Sequence, residues 1–414
     1  MSIERSQLNF NEVAAKYPDF PRFVMLKTDI HRRGVNYTDA ALESFDPDRH
    51  QSGGTHIFSS RDGKLTGRPE SILLRDGTLV LATPTPLEQN PYVVDLIGGK
   101  LTLTDQGEAL DEVFYWDKPD YYDKRTSNGT LMQNVVSARP QRLYVIPNRY
   151  CHFWTDGGGC KFCDIVNNLK QQRTEIAMQT KIKTDDLTET IREALKEKGR
   201  FTAVFLTAGS DFRGEQAFDR ETDNYIAILQ AIDKCFAVPK YPSQLLCTAL
   251  KKEQLQRIYD QTGLMSVTMD IEVLDEEQFN FVCPGKAKWI GYQEWKRRLY
   301  DAVEVFGESR VNTGIVSGTE LVAPTRFRSE DEALEAVLNE ADELAAHGVS
   351  TVHMVWQPRP ESDFAKEQNA SLEYYVRLSQ GLQDIRRKYK LSIDFDDYRR
   401  CGNHPDSDLA RVFS

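Results

Sequence analysis

The sequence predicts an α/β fold of alternating strands and helices, preceded by a smaller region built mostly of strands. Six short runs rich in β-branched residues recur between residues 142 and 356, with helical stretches between them. Strand-like runs joined by Gly and Asp turns occupy residues 1–140. The chain has 414 residues, 40% hydrophobic and 28% charged, which suits one large core or two domains.

The first 140 residues form the predicted accessory region. Their strand-like runs are GGTHIFSS (53–60), SILLRDGTLVLAT (71–83) and GGKLTLTDQG (98–107). Gly and Asp residues between and beside these runs favour tight turns, so we expect a small, mostly β unit.

The main region, residues 141–365, contains the six strand–helix repeats. Its predicted strands are RLYVI (142–146), TAVFLT (202–207), SQLLCTA (243–249), MSVTMDIE (265–272), RVNTGIV (310–316) and VSTVHMVW (349–356). Strands separated by helices run parallel, so the sheet is either doubly wound or curled into a barrel or part-barrel. In either form, function belongs at the C-terminal ends of the strands. Residues 366–414 should add a last helix (371–389) and a tail that pack on the barrel.

Charge and hydropathy narrow the classes of partner. The net charge is −11 and Lys and Arg form no long basic face, so we expect no nucleic-acid partner. No run of about 18 apolar residues predicts a membrane span, and the N-terminus lacks the apolar core of a secretory signal. We therefore expect a cytoplasmic protein.

Three of the seven cysteines, Cys151, Cys160 and Cys163, lie close together in NRYCHFWTDGGGCKFCDI (148–165), directly after the first predicted strand. The Cys-x-x-Cys pair is compatible with zinc, a redox dithiol or an iron–sulfur cluster. Structural zinc needs four ligands, and His152, adjacent to Cys151, is poorly placed as the fourth. A dithiol leaves Cys151 unexplained. A four-iron cluster with three thiolate ligands and one open iron accounts for all three.

At this point CKFCD resembles the radical S-adenosylmethionine (radical SAM) superfamily, whose usual spacing is C-x3-C-x-aromatic-C. Phe162 occupies the aromatic position, but the first gap has eight residues, giving C-x8-C-x2-C. The glycines of TDGGG (155–159) would let this longer loop bulge. The resemblance implies a partial (βα)6 TIM-type barrel, a [4Fe-4S] cluster held by Cys151, Cys160 and Cys163, and S-adenosylmethionine (SAM) as cofactor.

Motifs at later strand ends resemble the superfamily's SAM contacts. LTAGS (206–210) stands where the family has a Gly-Gly-Glu-like segment for the methionyl amine, here without the acid. MDIEVL (269–274) offers carboxylates for ribose or that amine. TGIVSGTE (313–320) resembles an element whose backbone meets adenine, with Glu320 one place early. The residues implied to bind SAM are Phe162, Ala208, Gly209, Ser210, Asp270, Glu272, Gly314, Val316 and Gly318.

Residues 274–307 most resemble the branch that includes biotin synthase and the aromatic amino acid lyases. The resemblance implies reductive cleavage of SAM to a 5′-deoxyadenosyl radical, which abstracts hydrogen from a small organic substrate such as an amino acid or a cofactor or natural-product precursor. It also implies a flavodoxin- or ferredoxin-type electron donor. The enzyme would be a lyase, mutase or transferase.

Two alternative functions stay open, and so do purely structural roles for several of these residues. A methyl- or sulfur-transferring RNA enzyme of the same superfamily is one, and a non-catalytic iron–sulfur or zinc protein is the other. Asp270 or Glu272 could serve only structure, and Gly314 and Gly318 could only relieve crowding. The remaining cysteines are expected to be small buried hydrophobes: Cys235, Cys247, Cys283 and Cys401.

Overall fold

A computed structural model describes residues 3–56, 67–139, 141–392 and 402–412. Cys401 and the second half of the predicted run 53–60 lie outside these described residues. The larger of its two sheets has seven strands in the order β13-β12-β11-β10-β9-β8-β7. These strands are β7 (Val136–Ala138), β8 (Arg142–Val145), β9 (Ala203–Thr207), β10 (Ser243–Leu246), β11 (Ser266–Thr268), β12 (Val311–Ser317) and β13 (Ser350–Val355).

The six strands β8 to β13 are mutually parallel, and only the edge strand β7 is antiparallel to its neighbour. Every residue of β8, β9 and β12 is buried. Such strands need cover on both faces, which the crossover helices provide on one side. The sheet curls into a half barrel, and the predicted partial (βα)6 barrel is confirmed.

The smaller sheet has six strands in the order β1-β4-β5-β6-β2-β3, antiparallel except for the pair β1 and β4. They are β1 (Val35–Tyr37), β2 (Ser71–Leu74), β3 (Leu79–Leu81), β4 (Tyr92–Ile97), β5 (Lys100–Asp105) and β6 (Glu108–Tyr115). The division of the chain at residues 140 and 365 stays a prediction.

Thirteen α-helices lie within the described residues. They are α1 (Phe10–Lys16), α2 (Arg22–Arg33), α3 (Asp39–Glu43), α4 (Ile165–Ile176), α5 (Thr184–Ala194), α6 (Asp219–Asp233), α7 (Lys252–Gln261), α8 (Glu276–Val282), α9 (Pro284–Trp289), α10 (Tyr292–Phe306), α11 (Glu330–Ala346), α12 (Leu372–Tyr389) and α13 (Pro405–Val412). The sequence prediction omitted seven of them: α1, α2, α3, α4, α8, α9 and α13.

The barrel helices form where the sequence combines an apolar stripe with an N-terminal cap. Helix α10 buries Tyr292, Trp295, Leu299 and Phe306, which lie three, four and seven residues apart and therefore on one face. Helix α11 begins at Ser329, whose side chain accepts a hydrogen bond from the backbone N–H of Glu332.

The C-terminal helices pack against both sheets. Leu378 and Leu382 of α12 belong to the core of the half barrel, whereas Val376 of the same helix and Leu409 of α13 belong to the core of the smaller sheet. Helices α13 and α2 also cover the edge strand β13, which prevents that edge from pairing with another chain. The tail therefore joins the two sheets, where the sequence predicted packing on the barrel.

Candidate SAM and iron–sulfur site

A cavity of about 1550 Å³, including its part open to solvent, lies at the C-terminal ends of the barrel strands. Every residue that the sequence analysis assigned to the cluster or to SAM lines this cavity, with the exception of Gly318. The remaining wall includes side chains from the smaller sheet and the tail, such as Glu70, Leu79 and Asn403. The strand ends therefore bring together candidate site residues that are far apart in the sequence, from Cys151 to Val316.

The cysteine loop starts where β8 ends and turns through a short 3-10 helix, His152–Asp156. Gly157 follows with a φ of 70°, a left-handed conformation that favours glycine. The backbone N–H of His152 donates to the carbonyl of Ser210 at 2.7 Å. A Cβ on Gly209 would lie 2.5 Å from the backbone nitrogen of Cys151. The end of β9 thus supports the first cysteine at van der Waals distance.

The three cysteines are partly buried and line the cavity. Burial raises the pKa of Cys151 to about 12 and raises the pKa of Cys163 well above its usual value, and the proximity of Cys160 raises both further. An enclosed thiol keeps its proton unless a metal takes its place, because thiolate is the form that binds metals. The loop is therefore suited to metal ligation more than to acid–base chemistry.

Thiolates are the ligands that hold iron–sulfur clusters, and three cysteines, Cys151, Cys160 and Cys163, line this one cavity. Among the described residues, no group of three His, Cys, Asp or Glu side chains is close enough together to hold one metal ion.

His152, the alternative fourth ligand, is engaged elsewhere. Its Nε2 lies 2.7 Å from Nη2 of Arg213 and 3.5 Å from a carboxylate oxygen of Asp211. His152 does not line the cavity, and burial lowers the pKa of its imidazole. This side chain is part of a polar cluster that holds the outer side of the loop.

Asp270 and Glu272 follow β11 and both line the cavity. Asp270 accepts a hydrogen bond from the backbone N–H of Gly314 at 2.7 Å, and a Cβ on Gly314 would lie 2.5 Å from the same oxygen. Burial and the charge of Glu272 raise the pKa of Asp270 to about 7. Gly314 is thus required as glycine because a carboxylate occupies the space of its side chain.

The backbone of Glu272 is strained. Its φ is 71°, which is uncommon for a residue with a side chain. Two hydrogen bonds to β12 hold it there: its N–H donates to the Gly314 carbonyl, and its carbonyl accepts from Val316 N–H. Strain of this kind costs about 1–3 kcal/mol and collects at functional sites. The conformation directs the carboxylate into the cavity.

The sequence analysis missed Lys286, a buried cation beside these carboxylates. Its Nζ donates to the Asp270 carbonyl and to Oε1 of Glu272, both at 2.6 Å, and lies 4.6 Å from the ring centre of Trp295. Burial would lower the pKa of Lys286, but the negative charge of Glu272 together with that of neighbouring acidic groups, Asp270 among them, outweighs this effect and the pKa is raised. Only its position in the fold identifies this lysine, since a lone Lys on a short helix carries no sequence signal.

LTAGS lacks the acidic residue of the family's segment, but a carboxylate from another element, Glu221, lies behind the end of β9. Glu221 of α6 is buried, accepts hydrogen bonds from the backbone N–H groups of Asp211 and Thr248, and also accepts from the Thr248 hydroxyl. That hydroxyl lies 2.7 Å from the Ser210 hydroxyl. Burial raises the pKa of Glu221 to about 7. Glu221 does not line the cavity, so it supports Ser210 from behind.

Gly318, assigned to SAM by the sequence analysis, points away from the cavity. Its φ is 100°, and a Cβ there would lie 2.5 Å from the hydroxyl of Tyr375. Both carboxylate oxygens of Glu320 accept from the Gly318 N–H at 2.9 Å, and Tyr374 donates to Glu320 from α12. Gly318 and Glu320 therefore close the turn after β12 against the C-terminal helix.

Comparisons with known proteins were made by family, sequence and structure. No family model matches. The bacteriochlorophyllide c C-7(1)-hydroxylase of Chlorobaculum limnaeum is 23% identical over 328 residues, which cover 75% of this chain and 77% of the relative. No helix among the described residues is long and apolar enough to cross a membrane.

Two solved structures illustrate the structural likeness. A radical SAM methyltransferase from Sphaerobacter thermophilus aligns with a TM-score of 0.42 at 12% identity, covering 98% of this chain and 99% of that one. HydG, a maturase of the [FeFe]-hydrogenase, aligns with a TM-score of 0.39 at 12% identity, and this chain spans about half of it (52%).

The assignment rests on the chain's own features. The cysteine motif follows the first strand of a parallel half barrel, and the residues that resemble SAM contacts line the same cavity from three later strand ends. These features resemble those of the radical SAM superfamily, whose enzymes use a [4Fe-4S] cluster and S-adenosylmethionine.

Proposed function

We propose that Cys151, Cys160 and Cys163 hold one [4Fe-4S] cluster and that the chain uses SAM to remove hydrogen from a small organic substrate. The observation that carries this proposal is the convergence of the three cysteines with Asp270 and Glu272 on one cavity. When bound, the cluster and SAM together supply the one-electron reduction of a sulfonium carbon–sulfur bond and, from it, removal of a substrate hydrogen.

The residues around the cavity take defined tasks in this proposal. Asp270 and Glu272 accept hydrogen bonds from the ribose hydroxyls or the methionyl ammonium of SAM. Gly314 and Val316 bring the backbone of β12 close to the adenine, while Phe162 packs against the cofactor. Lys286 orients Glu272, since it donates a hydrogen bond to that carboxylate at 2.6 Å.

The substrate would occupy the part of the cavity that faces the smaller sheet. Glu70, Leu79 and Asn403, none of which is assigned to SAM, line this cavity together with the strand ends. Tyr144 and Phe205 stack there with ring centres 4.9 Å apart, beside Leu79. This wall suits an amino acid or a cofactor or natural-product precursor with an apolar portion.

The electron donor in this proposal is a flavodoxin or ferredoxin, and the location is the cytoplasm, where thiols stay reduced. Hydroxylation is the second candidate reaction, because the curated relative is a hydroxylase. It also begins with removal of a substrate hydrogen and yields 5′-deoxyadenosine, so the organic product, which gains an oxygen atom only in hydroxylation, distinguishes it. Methyl transfer, the alternative left open by the sequence, would instead yield S-adenosylhomocysteine from the methyl donor.

The test begins with anaerobic reconstitution of the full chain. We expect about four irons and four sulfides per chain, no stoichiometric zinc, and 5′-deoxyadenosine after dithionite reduction with SAM. The variant with Cys151, Cys160 and Cys163 all changed to Ala should bind almost no iron, whereas Cys235→Ala should retain it. Retention of a full cluster by the triple variant, or one zinc and no sulfide in the wild type, would refute the proposal.

A further inference from the structure

A line of hydrogen-bonded side chains runs from the buried carboxylate of Glu221 on α6 to the cavity. The Thr248 hydroxyl oxygen lies 3.0 Å from Oε2 of Glu221 and 2.7 Å from Oγ of Ser210. Ser210 and Thr248 line the cavity, whereas Glu221 lies behind them and is 3% exposed. The carboxylate is therefore linked to the cavity through two hydroxyl groups.

This line ends beside the first cysteine. The Ser210 carbonyl accepts a hydrogen bond from the backbone N–H of His152 at 2.7 Å. Gly209, directly before Ser210, is so close to the loop that a Cβ there would lie 2.5 Å from the backbone nitrogen of Cys151. A ligand group that meets the Ser210 hydroxyl therefore lies next to the cysteine loop.

The surroundings of Glu221 fix the direction of the hydrogen bonds along the line. The backbone N–H of Asp211 donates to Oε2 at 2.7 Å and that of Thr248 to Oε1 at 3.1 Å, and such bonds favour the ionised carboxylate. An ionised carboxylate only accepts, and a threonine hydroxyl carries one hydrogen. Thr248 therefore donates to Glu221 and accepts from Ser210, which leaves the oxygen lone pairs of Ser210 facing the cavity.

We propose that Glu221 is a positioning residue for SAM: acting through Thr248, it fixes the Ser210 hydroxyl as the hydrogen-bond acceptor for the amino group of the methionyl part of SAM. This inference rests on the proposed function. An N–H group is the matching ligand chemistry, because the methionyl carboxylate would face oxygen lone pairs and be repelled. A carboxylate on α6 thus supplies, by way of two hydroxyls, the acceptor that LTAGS lacks.

The test is isothermal titration of the reconstituted full chain, without reductant, with SAM and with the SAM analogue that lacks only the amino group. Ser210→Ala removes the acceptor, Thr248→Val removes the link while keeping its shape, and Glu221→Gln removes the charge. Thermal unfolding of each variant reports its folding. A buffer of about pH 8 keeps Glu221 ionised, since its pKa is about 7.

Two buried residues outside the cavity provide matched controls. Glu330→Gln alters a carboxylate that, like Glu221, accepts from two backbone N–H groups and a hydroxyl. Thr222→Val alters a threonine of α6 whose hydroxyl bonds to a carbonyl of its own helix. Both control variants should bind SAM as the wild type does.

We expect each of the three site variants to bind SAM about three- to tenfold more weakly, the range for one hydrogen bond. Their affinity for the analogue without the amino group should equal that of the wild type. The double variant Ser210→Ala/Thr248→Val should bind SAM as Ser210→Ala alone does, because Thr248 acts only through Ser210. A purely structural effect of Thr248 would instead persist in the double variant.

Wild-type affinity for SAM in both Thr248→Val and Glu221→Gln would overturn the inference. An equal loss of affinity for the analogue, or a further loss in the double variant, would overturn it too. If Glu221→Gln does not fold, Thr248→Val and the double variant decide the matter. A wild type that binds neither a cluster nor SAM would refute the proposed function itself.

Discussion

The two carboxylates that follow β11, Asp270 and Glu272, have different surroundings. Asp270 rests on the N–H of Gly314, and its pKa is raised to about 7 by burial and by Glu272. Glu272 pairs with Lys286 and keeps a backbone conformation that costs free energy. Lys286 offsets the charge of one of the two carboxylates, and the positive sulfonium and ammonium groups of SAM would interact favourably with the other.

We expect Asp270→Ala and Glu272→Ala each to weaken SAM binding by about ten- to a hundredfold. A hydrogen bond to a charged group contributes about 1.5–3 kcal/mol, and each 1.4 kcal/mol is a factor of ten in affinity. Isothermal titration of the reconstituted variants with SAM measures the effect. Glu304→Ala, which removes an exposed carboxylate paired with Lys252, is the control and should bind as the wild type does. If both site variants bound SAM with wild-type affinity, the ribose contact would have to lie elsewhere.

At the scale of elements, the site depends on how α9 meets the cysteine loop. Helix α9 is only six residues long, and it carries Gly285 and Lys286 at positions two and three. A surface pair between Lys288 and Asp156, 3.8 Å apart, joins the same two elements. Gly285 makes the close backbone contact, whereas Lys288 remains largely exposed. Substitutions at these two residues therefore test the backbone packing and the surface ion pair one at a time.

Gly285→Ala should destabilise the protein and reduce its iron content, because its Cβ would lie 2.4 Å from the Gly158 carbonyl oxygen. Helix propensity alone predicts the opposite sign, a gain of about 1 kcal/mol for Ala over Gly. Lys288→Ala is the control on the same helix and should change stability by less than about 1 kcal/mol. Thermal unfolding and iron content are the measurements. If the Gly285→Ala variant were more stable than the wild type and kept its full iron content, the contact between Gly285 and Gly158 would have room for a side chain.

At the scale of the whole molecule, buried ion pairs fasten the two ends of the chain to each other. Lys27 of α2 and Asp408 of α13 are fully buried and 2.6 Å apart. Arg386 of α12 pairs with Asp406 at 2.8 Å, and the backbone N–H of His353 in β13 donates to the same carboxylate. These contacts lie where the smaller sheet, the tail and the edge of the half barrel meet.

Lys27→Met should lower the free energy of unfolding by about 3–5 kcal/mol, because it leaves a buried carboxylate without its cation. Lys16→Met is the matched control: Lys16 pairs with Glu373 at 2.5 Å, but its side chain is 54% exposed, so the cost should be about 0–1 kcal/mol. Urea denaturation measures both. Equal effects of the two substitutions would contradict the idea that burial of the Lys27 pair joins the chain ends.

The sequence by itself determined the half barrel and most of the candidate site. Regular alternation of buried runs and helices requires parallel strands, and the C-terminal ends of parallel strands meet at one edge. Cys151 and Asp270 each follow such an end, so their convergence follows from local pattern, whereas Gly314 lies inside β12 beside Asp270. Helix α2 escaped the sequence analysis because it buries polar residues, Lys27, Thr28 and Asp29, which blur its apolar periodicity.

Only the tertiary structure decided which side chains turn into the cavity and which distant segments support them. Gly318 lies two residues from Val316, yet a left-handed turn carries it against α12. Gly285 and Lys286 reach the cysteine loop and the cavity through contacts between segments far apart in sequence, where no periodicity applies. Such contacts depend on the path of the backbone between elements, and a one-residue change in a turn redirects them, so local sequence does not specify them.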